Sequence, residues 1–176
     1  MPRCNEMAAT LTTTIFAFTL TSSVARHGTF AMTQRAIDGQ HIYFVTTNTA
    51  FGLLHFTASK TAVRFSRVLR RSCIQYDFAL FGFCVLPNHV HLLVRRNGRY
   101  SLSKLMNIVK GRYSILLRQG RFWQPRFNFR IIDSDLRFNR TVEYIRYNFR
   151  KTELPERYGK PPWVYIDEAA REKVGS

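Results

Sequence analysis

Acidic residues are scarce in this sequence, and scarcest where its motifs lie. Asp and Glu number 11 against 27 Lys and Arg, which leaves a formal net charge of +16 over 176 residues. Between Gln40 and Ile132 the sole acid is Asp77. A hydrolase that activates water with a carboxylate therefore finds no base close in sequence to the chain's histidine pair, described below. Cysteine is sparse too. Cys4, Cys73 and Cys84 form no Cys-x-x-Cys pair, so neither a zinc knuckle nor a disulfide framework is indicated. Cys84 sits in an apolar run and reads as a packed core residue; a reducing cytoplasm suits such a chain. No apolar stretch reaches the roughly 18 to 20 residues that cross a bilayer, so no membrane partner is expected.

What is present is apolar and basic. Apolar residues make up 45% and aromatics 14%, a composition that folds rather than one that stays disordered. The basic residues point to a polyanionic partner, with nucleic acid foremost. Residues 1–40 differ from the rest. They are rich in Thr, Ala and Ser, and their apolar patch Ile15-Phe16-Ala17-Phe18 is too broken by threonines for an export signal. They are expected to be a disordered extension or an upstream translation start, with Met32 as the alternative beginning.

The elements follow in order. His41–Thr47 is β-branched and aromatic and reads as a strand. Ser59 is the expected N-cap of a helix over residues 60–74, with Val63, Val68, Leu69 and Cys73 as its apolar side. Phe78–Leu86 is apolar on both faces, as for a central strand. Pro87-Asn88 breaks it, and His89–Arg95 returns as a hairpin. Ser101 or Ser103 caps a second helix that Gly120 ends. An aromatic, basic loop from Arg121 enters a fourth strand ending at Ile132. A third helix runs over 136–150, and its Phe138, Val142, Ile145 and Phe149 recur at spacings of four, three and four. Residues 155–176 read as an irregular tail. The βαββαβ order predicts an α+β, ferredoxin-like antiparallel sheet over residues 41–154, with one extra helix at the C-terminal end.

The chemistry gathers at two stretches. In Pro87-Asn88-His89-Val90-His91 the alternation of a strand puts both imidazoles on one face, a usual way to hold a metal ion. In the third helix Tyr144 and Asn148 form an i, i+4 pair. They lie roughly 90 to 130° round from the apolar stripe, at the flank of the buried face. Tyr147 and Tyr113 are rival tyrosines; Tyr147 has no amide four residues on, and Tyr113 lies on the apolar side of its helix.

These residues resemble a family. His89-Val90-His91 resembles the HUH motif (His, hydrophobic, His) of single-strand DNA nucleases. Val142-Glu143-Tyr144-Ile145-Arg146-Tyr147-Asn148 resembles the "YIxxNP" segment of the single-tyrosine transposases, the IS200-like and REP-associated groups. Trp123-Gln124-Pro125-Arg126-Phe127 resembles a loop of the REP-associated members. One departure is Phe149, where the family often has Pro, and the family's usual C-terminal continuation is poorly matched. The resemblance implies an HUH-type fold with a C-terminal catalytic helix, and an enzyme that cuts and rejoins single-stranded DNA near hairpins. Tyr144 would be the nucleophile, and His89, His91 and Asn148 would bind Mg²⁺ or Mn²⁺. The DNA-contacting candidates are Arg64, Arg67, Arg71, Arg95, Arg96, Arg99, Lys104, Lys110, Arg112, Arg126 and Arg130, together with Trp123. Trp123, Phe127 and Phe129 have two uses open to them, stacking on unpaired bases or filling the core. The implied setting is the bacterial cytoplasm at the nucleoid, with the protein a monomer or a homodimer. The competing reading is a hairpin-binding module that does not cut; its RNA version lacks the glycine-aromatic signature such sheets carry.

Overall fold

The computed structural model describes residues 41–169; the expected extension over 1–40 and the end of the tail, 170–176, lie outside the described residues. The elements are β1 (Ile42–Asn48), α1 (Ser59–Gln75), β2 (Phe78–Leu86), β3 (His89–Arg96), α2 (Leu102–Leu117), β4 (Asn128–Ile132), α3 (Asp135–Lys151) and β5 (Val164–Ile166). The sheet order is β4-β1-β3-β2-β5, and every neighbouring pair is antiparallel. The first four strands give the ferredoxin-like arrangement that the βαββαβ order predicts.

Strand alternation divides the core into two layers. On one face Tyr43, Val45, Phe83, Val85, Val90, Leu92 and Val94 pack under α1 and α2, against Phe65, Leu69, Leu105, Met106 and Tyr113. On the other, Phe44, Cys84, Leu86, Leu93 and Ile132 pack under α3, against Phe138, Val142 and Ile145. Each of those three α3 side chains is 2% exposed or less, so each contributes about 1.5 to 3 kcal/mol of transfer free energy. This second layer carries the histidines, and α3 is held over them by that apolar stripe. Phe149, expected on the same stripe, turns to the other cluster. Its ring lies against Gly159, where an added Cβ would sit 2.2 Å from it.

The helix ends follow local chemistry. Ser101 accepts from the Lys104 N–H at 3.2 Å and Ser134 from the Arg137 N–H at 3.4 Å, each capping the helix it precedes. Ser59 does not cap α1. It is the first helical residue, and Ala58 holds the cap position without a side-chain bond. Helix α2 stops at Leu117, before Gly120, because Arg118 takes up the left-handed conformation at φ 55°.

The reading of residues 155–176 as irregular is corrected over its described part, 155–169. A 3-10 turn at Glu156–Gly159 leads to β5, which pairs with β2 through Gly82↔Ile166 and Cys84↔Val164. Three residues behind Pro161-Pro162 are too short to show a period. Their presence explains why β2 reads as apolar throughout: it has a strand on each side and a layer on each face. Gly82 permits the approach, since a Cβ there would stand 3.0 Å from the Tyr165 carbonyl oxygen.

Candidate metal and tyrosine site

The register of the sheet assembles the site. Across from His91 stand Thr46 on β1 and Cys84 on β2; across from His89 stand Asn48 and Leu86. Both imidazoles face α3, with ring centroids 4.9 Å apart and planes at 83°. Nδ1 of His91 is 2.8 Å from the Thr46 hydroxyl, and Nδ1 of His89 is 2.7 Å from the Asn88 side-chain oxygen. His91 is 5% exposed, and its Nε2 is buried with no hydrogen-bond partner. Burial pushes the His91 pKa down to about 3, with His89 and Arg130 adding to the effect, and burial lowers that of His89 as well. Both rings are therefore neutral near pH 7, the form that ligates a metal.

Helix α3 brings Tyr144 to this pair. Its ring centroid is 5.3 Å from that of His91 and 5.6 Å from that of Phe44, on which His91 stacks at 5.2 Å. One turn on, Asn148 is buried at 3% exposure, with its amide nitrogen 4.0 Å from Cys84 Sγ. Burial pushes the Tyr144 phenol above its ordinary value and Cys84 adds to this, while Arg130 and a hydrogen bond from Asn148 pull it back. Burial holds the Cys84 thiol up at about 12, so it is a neutral neighbour and not a thiolate ligand. Among the described residues no group of three His, Cys, Asp or Glu side chains could hold a metal. Asn148 is not of those types; it lies beside Cys84, the cross-strand neighbour of His91.

Between β4 and α3 opens a cleft of about 910 Å³, lined by Arg130, Arg137, Arg140, Tyr144, Tyr147 and Lys151 among others. The Arg130 guanidinium lies 4.7 Å from the centroid of the Phe44 ring, and Lys151 Nζ is 5.2 Å from that of Tyr144. The tyrosine thus stands between a neutral imidazole pair and a cationic groove. Arg137, Arg140 and Lys151 escaped the sequence reading. They share a stripe with Tyr144 and Tyr147 at spacings of three, four, three and four, a signal available once Tyr144 is taken as the centre of a face.

The structure brings Tyr144, His89, His91 and Asn148 together, and Arg130 beside them. The other candidates lie elsewhere. Arg64, Arg67 and Arg71 on α1, and Lys104, Lys110 and Arg112 on α2, belong to the helices of the opposite face. Arg95, Arg96 and Arg99 lie at the far end of β3 and the turn after it; Arg126 is exposed on the loop before β4. Two assignments are corrected. Lys110 is 9% exposed and its ammonium donates to the carbonyls of Gln124, Pro125 and Arg126 at 2.5, 3.1 and 3.4 Å, so it holds a loop and has no free face for a phosphate. Trp123 is 6% exposed within a cluster of Phe56, Phe65, Tyr113 and Phe122, so its ring fills the core instead of stacking on a base. Phe129 does stand exposed, at 56%. Of the rival tyrosines, Tyr113 is wholly buried and Tyr147 lines the cleft.

A family model described as "Transposase IS200 like" matches residues 40–148. This chain belongs to the IS200-like transposase family. The match takes in both histidines, Tyr144 and Asn148 and ends on the last of them. Among solved structures, the transposase is similar to a REP-associated tyrosine transposase bound to a REP hairpin. The two are 18% identical over 78% of this chain and 82% of that one, with a TM-score of 0.62. At that identity the likeness shows the fold, the HUH type. A transposase candidate from Deinococcus radiodurans R1 aligns at 16% identity over 65% of this chain and 92% of the other, with a TM-score of 0.47. No curated protein sequence matches the transposase. No helix among its described residues is long and apolar enough to cross a membrane.

Proposed function

We propose that this transposase is a metal-dependent single-stranded DNA endonuclease and strand transferase that acts near hairpin elements. The observation that carries the reading is the orphaned Nε2 of buried His91, in a ring that packs against those of His89 and Tyr144, with Asn148 beside the neighbouring Cys84. A buried nitrogen without a partner is expensive, and a bound cation would satisfy it. The donors fit such an ion: two neutral imidazoles and an amide suit Mg²⁺ or Mn²⁺ that also takes oxygens from the substrate phosphate. When bound, the ion polarises the scissile phosphate and neutralises charge in the transition state.

The chain's own residues do the rest. The Tyr144 oxygen attacks phosphorus and loses its proton as it does so, since its pKa is raised. The P–O3′ bond breaks, and the 3′ oxygen takes up a proton, balancing the one the phenol gives up, and departs as a free hydroxyl. The 5′ phosphate stays on the tyrosine, so a later 3′-OH can reverse the step without ATP. Arg130, Arg140 and Lys151 line the strand's path and hold its phosphates. A hairpin partner is supported by the similar solved structure, a REP-associated tyrosine transposase bound to a REP hairpin.

The test uses end-labelled single-stranded hairpin DNA, Mn²⁺ and a denaturing gel. A covalent protein–DNA band that vanishes in Tyr144→Phe and persists in Tyr147→Phe supports the proposal. Cleavage that survives Tyr144→Phe sinks the nucleophile. Tight binding with no adduct in any divalent metal makes the protein a hairpin-binding module instead.

A further inference from the structure

We propose that Thr46 and Asn88 are positioning residues that fix both imidazoles of the HUH pair in one tautomer, with hydrogen on Nδ1 and the Nε2 lone pair free for the ion. The inference rests on the reading that His89 and His91 are metal ligands. It adds which residues make them so before any metal arrives.

For His89 the chemistry decides. The atom 2.7 Å from Nδ1 is the side-chain carbonyl oxygen of Asn88, which only accepts. Nδ1 therefore carries the hydrogen, and Nε2 carries the lone pair. For His91 the partner is a hydroxyl, 2.8 Å from Nδ1, which can donate or accept. The far side of the ring settles the choice. Nε2 is buried and has no partner. With hydrogen on Nε2, the structure would hold a buried N–H that has no acceptor and that a cation could not satisfy. With hydrogen on Nδ1, donated to Thr46, the bare position is a lone pair facing the place where a cation would bind.

The anchors are themselves anchored. Thr46 is the direct cross-strand neighbour of His91. Asn88 sits in the β2–β3 turn, and its backbone carbonyl accepts both the N–H and the hydroxyl of Thr49, at 2.8 and 2.9 Å. Thr46 and Thr49 stand three residues apart, the first within the C-terminal part of β1 and the second just beyond its end at Asn48, so the C-terminal part of that one strand sets the orientation of both rings. The choice of partner also matters. Metal-bound histidines often donate to a carboxylate, which raises ligand basicity. A hydroxyl and an amide orient the ring without adding negative charge where a phosphate must enter.

The experiment reads the apo protein first. Long-range ¹⁵N–¹H spectra of the imidazoles, taken on EDTA-treated full-length protein, report which nitrogen of each ring carries hydrogen. Mn²⁺ binding is then titrated by the electron paramagnetic resonance of the free ion, for the wild type, Thr46→Val, Thr46→Ser and Asn88→Ala. The expected result is Nδ1–H on both rings in the wild type. Thr46→Val and Asn88→Ala each weaken Mn²⁺ binding by roughly 10- to 100-fold, while Thr46→Ser retains it. Near-ultraviolet circular dichroism checks that each variant is folded. Hydrogen on Nε2 of His91 in the wild type, or a folded Thr46→Val that binds Mn²⁺ as well as the wild type, overturns the inference. If the wild type takes up no Mn²⁺, the metal reading itself fails, and the tautomer spectrum still decides whether Thr46 and Asn88 set the rings.

Discussion

Substituting Gly159 with alanine should loosen the end of the tyrosine helix. A Cβ at this position would lie 2.2, 2.6 and 2.8 Å from three atoms of the Phe149 ring. Ordinary contact begins near 3.5 Å, so the overlap exceeds 1 Å at the worst atom, by comparison with that distance. The ring cannot simply swing out, because Phe149 is 8% exposed within the cluster that also holds Tyr158 and Trp163. Overpacking of this kind costs about 1 to 3 kcal/mol, and the upper half of that range is expected. The assay is urea unfolding followed by tryptophan fluorescence, to which Trp163 in the same cluster reports. Phe149→Leu supplies the control: it costs stability by itself, but Gly159→Ala made in that background should cost at least about 1 kcal/mol less than in the wild type. Additive losses in this cycle would refute the idea that Gly159 is required by the ring. Because Asn148 precedes Phe149 in the chain, the folded fraction of Gly159→Ala should also bind Mn²⁺ more weakly than the wild type.

Three further outcomes are expected. Arg140→Gln and Lys151→Gln should each lower the slope of log affinity for hairpin DNA against log salt by roughly 0.7 to 0.9, whereas Arg64→Gln on the opposite face should leave it nearly unchanged; equal effects would mean the cleft is not the DNA path. Trp123→Ala should cost about 3 to 5 kcal/mol of stability, read by urea unfolding; a variant that keeps its stability and loses only DNA affinity would restore the stacking role. The metal-free protein should lose stability in acid. The pKa values of His55, His89 and His91 are all lowered in the folded state, that of His91 to about 3, so below about pH 6.5 the unfolded chain binds more protons. Stability should be full above that pH, fall as the pH drops toward 3, and fall less steeply in His91→Gln; a flat profile over that range would contradict the burial of the pair.

The sequence exposed the parts of the site that repeat on a period. His89 and His91 follow strand alternation, and Tyr144 and Asn148 follow the helical turn, so their faces could be worked out before any coordinates. The loop residues and the arginines could not. Position along the chain says that Arg64 and Arg130 are both cations, but only the sheet order places one beside Phe44 and the other on the far layer. Trp123 was ambiguous because an aromatic in a basic loop has the same sequence signature whether it fills a core or meets a base. Lys110 looks like a free cation in the sequence because its partners are backbone carbonyls, which no residue pattern records. Thr46 was invisible for a similar reason: its tie to His91 spans 45 residues and depends on the register of β1 against β3.

The three residues of β5 bear on how the protein is made and handled. The strand covers the outer side of β2, whose Phe83, Cys84 and Val85 are nearly fully buried. A chain ending at Leu154 would keep every residue proposed for chemistry and yet leave β2 as a bare, apolar edge, a template onto which a second chain can add. During synthesis that edge stays open until Ile166 has left the ribosome, well after Tyr144 and Asn148 have emerged. Aggregation of a shortened protein would therefore reflect an uncovered border of the sheet, and an inactive truncation would say nothing about which residues cut DNA.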